Sequence, residues 1–174
     1  MCIDIRKILP ENAYEYTLLH IACWRDAYKG IISDEYLDSM SAQLDRRVEI
    51  CRQAINEPDG CECLYVANGD EMIGRLIFGE SRDEDKHGAG EIYAIYLLAD
   101  YWGKGYGTQM MDFAVSALRL AGFREIIVWV LEDNYRARRF YEKCGFAYDG
   151  TRQGIDIGET LVEIRYGLKT DDYI

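Results

Sequence analysis

The segment Trp102-Gly103-Lys104-Gly105-Tyr106-Gly107-Thr108 follows a run rich in Ile, Tyr and Leu and precedes a helical pattern. Glycines at alternate positions let a backbone come close to a ligand, and a helix N-terminus adds free N–H groups and partial positive charge. Together they make a cradle for pyrophosphate, although such turns also arise for structural reasons alone. The spacing is neither Gly-x-Gly-x-x-Gly nor a Walker loop, which argues against NAD and ATP. The six cysteines (Cys2, Cys23, Cys51, Cys61, Cys63, Cys144) lie inside apolar patterns. Cys61 and Cys63 share a strand face, but no second Cys/His pair completes a zinc site, so they read as core residues of a reducing compartment, with no metal. Cys144 has neither His20 nor His87 near it in sequence to act as its base, which argues against a thiol nucleophile.

These residues need a scaffold. Ile3 to Ile8 alternates as a strand and Pro10 stops it; Ala13 to Tyr28 has helical spacing through Leu18, Ile21, Ala22 and Trp24. Ser33 and Ser41 read as N-caps of two short helices, the second reaching about Ile55 before Pro58. Two period-two runs, Cys61 to Ala67 and Met72 to Phe78, flank Asn68-Gly69-Asp70 and predict a hairpin. The stretch Ser81 to His87 reads as a solvated turn. Glu91 to Leu98 is a strand, a helix follows with Met110, Phe113, Ala114, Ala117, Leu118 and Ala121 on one face, and Ile126 to Leu131 is apolar throughout. Strand, helix and strand at this spacing form a βαβ unit whose strands are parallel. A helix from about Asn134 to Cys144 and strands near Phe146 to Gly150 and Thr160 to Leu168 complete the chain. The expected class is α/β (α+β): a mixed, mostly antiparallel twisted sheet around a central parallel βαβ unit, with helices on both faces.

The glycine turn resembles the acetyl-coenzyme A loop of the GNAT superfamily, Gln/Arg-x-x-Gly-x-Gly/Ala, with Gly105 and Gly107 at the small positions and Trp102 where Gln or Arg is usual. Asn134-x-x-Ala137-x-x-x-Tyr141-x-x-x-Gly145-Phe146 is similar to a second motif of that family at full spacing. Trp24 to Gly30 and Glu35-Tyr36-Leu37 resemble its N-terminal helices. The likeness covers nearly all of residues 1–174 as one domain, with acceptor-side helices over about 10–56 and a cofactor-binding core over about 61–170.

The resemblance implies an N-acetyltransferase that uses acetyl-CoA, without metal, to acetylate a primary amine of a small molecule. A protein N-terminus or lysine as acceptor, or a non-catalytic acyl-CoA sensor, are the alternatives. It also implies that Gly103, Lys104, Gly105, Tyr106, Gly107 and Thr108 cradle the pyrophosphate, and that Ile95, Tyr96 and Leu97 offer backbone to the pantetheine arm and the carbonyl oxygen. Asn134 would hydrogen-bond the arm. Tyr141 would protonate the departing thiolate. An amine attacks only when neutral, yet one with a pKa near ~10.4 is mostly protonated at pH 7. Glu91, eleven positions before Trp102, corresponds to the general base of some similar enzymes; Glu132, Asp133 and Tyr93 are alternatives. Edge strands in this family often pair, so a homodimer is a further implication.

A chain of 174 residues suits one domain able to bury about 70% of its unfolded surface. A net charge of −11 argues against nucleic acid and anionic membranes. It serves solubility and is compatible with a cationic substrate. Early charges (Asp4, Arg6, Lys7) leave no signal-peptide core, and an apolar run such as Ile126 to Leu131 is far short of the ~20 residues that span a bilayer. The expected location is the cytoplasm.

Overall fold

Seven strands, β1 (Asp4–Lys7), β2 (Cys61–Asn68), β3 (Glu71–Glu80), β4 (Gly90–Leu97), β5 (Glu125–Leu131), β6 (Ala147–Asp156) and β7 (Thr160–Lys169), form one sheet in the order β1-β2-β3-β4-β5-β7-β6. The computed structural model describes residues 3–57 and 59–173, with the side chain of residue 172 left aside. Cys2 and Pro58 therefore lie outside the described residues. β4 and β5 are parallel and every other pair is antiparallel, as the βαβ pattern required. The helices are α1 (Ala13–Ala27), α2 (Asp34–Ala42), α3 (Leu44–Asn56), α4 (Tyr106–Leu120) and α5 (Tyr135–Lys143).

α4 and α5 cover one face of the sheet. α4 does so because Met110, Met111, Ala114, Val115 and Leu118 form a stripe at helical spacing, all buried against Leu76, Ile92, Ile126 and Val128. Truncating one of them, as in Leu118→Ala, would cost about 2–5 kcal/mol. Phe113 and Ala121 are not in that stripe: Phe113 is 41% exposed and meets the Phe78 ring edge-on, and Ala121 is the exposed C-cap. The other face carries α1, α2 and α3. Ser33 caps α2 as expected, its Oγ accepting from the Tyr36 N–H, but Ser41 lies in the last turn of α2 and Gln43 joins it to α3. β6 runs to Asp156, six residues past its expected end at Gly150, because β7 pairs with it as far as Thr160.

Two irregularities shape the middle of the sheet. β4 pairs with β5 only over Gly90–Ile92 against Ile126–Val128, so the strands part beyond that point. In β4, Tyr93 is an extra residue, since Ile77 faces Ala94 and Phe78 faces Ile92. The bulge reverses which residues meet which face: Ile92, Ile95 and Leu97 pack toward α4, and Tyr96 toward α1.

Candidate active site

A cleft of about 300 Å³ runs from the glycine turn toward the gap between β4 and β5. Gly103 and Gly105 have φ of +72° and +83°, a left-handed conformation that only glycine adopts readily, and a Cβ on either would meet nothing within 4 Å. The backbone there is open to a ligand. Gly107 serves packing instead, because its Cβ would stand 3.3 Å from the Phe140 ring. The first turn of α4 holds no acidic residue, so its N-terminal partial charge faces the cleft uncancelled, with Arg136 and Lys143 also lining it. This turn, helix end and strand gap suit a ligand with a pyrophosphate and an extended arm.

Of the residues nominated from the sequence, Ile95, Tyr96, Leu97, Gly103, Gly105, Gly107, Thr108 and Tyr141 line this cleft. Lys104 is exposed, with its ammonium 5.2 Å from the Tyr101 ring centroid, and Tyr106 is buried against the same ring. Asn134, 5% exposed, caps α5 through an Oδ1 that accepts from the Ala137 N–H at 3.1 Å. Trp102 donates from Nε1 to the Leu97 carbonyl at 2.9 Å, and the Arg136 guanidinium carbon lies over its ring, 3.1 Å from the centroid. A guanidinium thus stands beside the tryptophan that occupies the usual Gln/Arg position. Arg136 was not found from sequence, since it fills a variable position of Asn134-x-x-Ala137.

Tyr141 lies where this cleft meets a second, smaller cavity of about 70 Å³, lined also by Tyr28, Tyr93, Tyr96, Trp129 and Asn134. Tyr141 is 7% exposed, and burial, followed by the neighbouring Tyr96 and Cys144, raises its pKa, so the phenol keeps its proton. The Tyr28 and Tyr96 hydroxyls share a 2.7 Å hydrogen bond, and burial raises both pKa values. Cys144 does not line either cavity, and burial pushes its thiol up to about 11, which keeps it un-ionised and unreactive.

The face of the sheet on the α1 side, beyond α1, is charged. Arg165 on β7 is 3% exposed and pairs with Asp83, Asp149 and Asp85, each at 2.7 Å. Asp83 also accepts from the Trp129 Nε1 at 3.0 Å. The Ser81 to His87 segment is the exposed loop expected at Arg82, Glu84, Asp85 and His87, but Ser81 is buried and Asp83 turns inward to Arg165 and Trp129. A buried guanidinium requires counter-charge, and Asp83 and Asp85 supply it. Glu91 is 2% exposed and accepts from the Arg82 N–H at 3.0 Å and from Arg82 Nη2 at 2.6 Å. Glu132 pairs with Arg152 at 2.9 Å, and Asp133 is exposed. Glu163 on β7 is half-buried and accepts from Gln153 Nε2 at 2.7 Å. Sequence reading missed it, as alternation on a closing strand marks only a face. Among the described residues, no group of three His, Cys, Asp or Glu is arranged to hold a metal ion, and no helix is long and apolar enough to cross a membrane.

The model of the acetyltransferase (GNAT) family matches residues 22–146. The chain belongs to this family. GNAT members use acetyl-CoA, and both motifs named above fall within the matched span. The uncharacterized N-acetyltransferase YuaI of Bacillus subtilis (strain 168) is 28% identical over 76% of this chain and 73% of its own. The spermidine N(1)-acetyltransferase of Thermoplasma acidophilum is 23% identical over 95% of this chain and 99% of its own. The crystal structure of the PaiA N-acetyltransferase from Thermoplasma acidophilum, in complex with coenzyme A, shares the fold with a TM-score of 0.71 and 24% identity, over 97% of this chain and 99% of that one. The expected fold class is the observed one, and this GNAT chain is an acetyl-CoA-dependent N-acetyltransferase.

Proposed function

We propose that the acceptor is the primary amine of a small molecule. The observation that carries this reading is the closure of the acceptor side. Ile157, at the turn between β6 and β7, packs with Ile21, Ile32, Leu37 and Leu131, and a Cβ on Gly158 would meet the Tyr36 ring at 2.8 Å. α2 and the β6–β7 hairpin thus touch across the space that an extended peptide would need. What remains is the small cavity walled by Tyr28, Tyr93, Tyr96 and Trp129. Aromatic faces attract cations, and the name of the spermidine-acetylating relative fits the same class of acceptor.

Bound acetyl-CoA supplies the thioester carbonyl. Gly103, Gly105 and the α4 N-terminus would hold its pyrophosphate, and the edge of β4 freed by β5 beyond Ile92 would pair with its arm. Tyr141, a protonated phenol where the two cavities meet, is placed to give a proton to a sulfur leaving from the cleft side. Glu91 as the base has an obstacle, since its carboxylate is already held by three donors of Arg82.

The test is release of free coenzyme A thiol across a panel of small amines, polyamines and lysine peptides. Turnover with small amines and none with peptides is expected. Turnover with peptides alone would overturn the reading.

A further inference from the structure

Which group accepts the amine's proton follows from comparing the two carboxylates on the acceptor face. Glu163 pairs in register with Leu131, at the end of β5, where β4 has already separated. Ile164 next to it points into the core under α4 and α5, so Glu163 faces the acceptor side. There it stands near Tyr28, the C-cap of α1, which in turn neighbours Tyr96 and Tyr141. The other charged groups facing it are Glu91 of β4 and Asp83 and Arg82 of the 81–87 segment. Arg82 is bound to Glu91, and Arg165, two residues along β7, is taken up by its three aspartates. Among the described residues Glu163 has no ion pair; its one side-chain partner is the neutral amide of Gln153.

On the reading that a small amine is acetylated, we propose that Glu163, rather than Glu91, accepts the proton of the incoming ammonium. The N–H bond breaks, its electron pair stays on nitrogen, an O–H bond forms on the carboxylate, and the proton then passes to solvent. Burial raises the Glu163 pKa, with Asp83 and Glu91 adding to the effect and Gln153 and Arg82 opposing it. That is the direction a general base acting near neutral pH needs. Glu91 keeps Arg82 neutralised over the Tyr93 ring and thereby shields Glu163 from a cation that would weaken it as a base.

Two measurements test this. In protein labelled with 13C at glutamate Cδ, one carboxyl signal should titrate above the ordinary glutamate range, vanish in Glu163→Gln and persist in Glu91→Gln. This readout needs neither cofactor nor turnover. In kinetics with an accepted amine, kcat/KM of Glu163→Gln should fall about 10²–10⁴-fold at neutral pH and recover as pH approaches the amine's own pKa, while Glu91→Gln retains an acidic limb, moved to lower pH because Arg82 is no longer neutralised. A Glu163 signal titrating at or below the ordinary range overturns the proposal, as does loss of the acidic limb in Glu91→Gln alone. If the wild type turns over no amine while Glu163 titrates high, the small-amine reading fails and the role of Glu163 in it falls too; an active wild type with an unaffected Glu163→Gln sinks this proposal alone.

Discussion

The two faces of the sheet are built on different principles. Toward α4 and α5 the sheet is apolar, and the cofactor cleft is a matter of backbone: left-handed glycines, a helix end and two strands that part. Beyond α1 on the opposite face, side-chain charge does the work, with Arg165, Arg82, Asp83, Asp85, Asp149, Glu91 and Glu163 brought together from three strands and a loop. A backbone site binds a common cofactor through groups that every residue carries, so it tolerates changes of side chain. A site of charged side chains can be retuned for a new acceptor by single substitutions. On the proposed function, one face keeps the cofactor while the other sets the substrate.

Perturbing each face separately should give separable losses. The largest is expected at their junction: Tyr141→Phe keeps the ring packed against Phe146 and Tyr166 and removes the hydroxyl, so kcat should drop about 10²–10⁴-fold with the Kd for acetyl-CoA unchanged. Stopped-flow turnover and calorimetry check both halves, and an unchanged kcat would remove Tyr141 from the proton path. Arg165→Met strips the cation from Asp83, Asp85 and Asp149 and should cost about 3 kcal/mol of stability while acetyl-CoA still binds, as read by denaturant unfolding and calorimetry.

The same variant has a pH signature. Hydrogen bonding to Arg165 lowers the Asp85 pKa below its ordinary 3.8, and Asp149, which burial would raise, is brought lower by the Thr151 N–H and by Arg165. A depressed folded-state pKa gives stability that is present above the ordinary value and lost as pH falls through the lowered one. The wild type should therefore lose its advantage over Arg165→Met below about pH 4; a gap that stays constant down to pH 2 would mean that these aspartates are not the partners that matter.

On the cofactor face, Gly105→Val forces a β-branched residue to a φ of +83°. That strain of about 1–3 kcal/mol should weaken acetyl-CoA binding by roughly 10- to 100-fold without unfolding the domain. The smallest effect is expected for Trp102→Gln, which restores the usual motif residue but removes the Arg136 stacking partner. A cation–π contact is worth about 0.5–2 kcal/mol, so Kd should rise by less than about thirtyfold; a tighter complex would show that the tryptophan hinders the cofactor.

The asymmetry between the faces also governs what was readable in the chain. The glycine turn and α5 were legible because their determinants are local: Gly103 and Gly105 adopt their turn within one segment, Asn134 caps the helix that it begins, and Tyr141 lies on that same helix. The strand and helix periods were equally local, and they carried the βαβ unit and the antiparallel remainder of the sheet. In Ser81 to His87 the pairing of Asp83 and Asp85 with Arg165 was not legible, because nothing within seven residues reveals a buried arginine on a distant strand. Composition and two spaced motifs determined the family, the cofactor and the fold class, since backbone conformation and helix periodicity depend on near neighbours. Only the tertiary structure decided that Glu91 is held by Arg82, that Arg136 stands against Trp102, and that Glu163 faces Tyr28. Those are pairings between side chains distant in sequence, and their chemistry depends on burial and charge that the fold alone brings together.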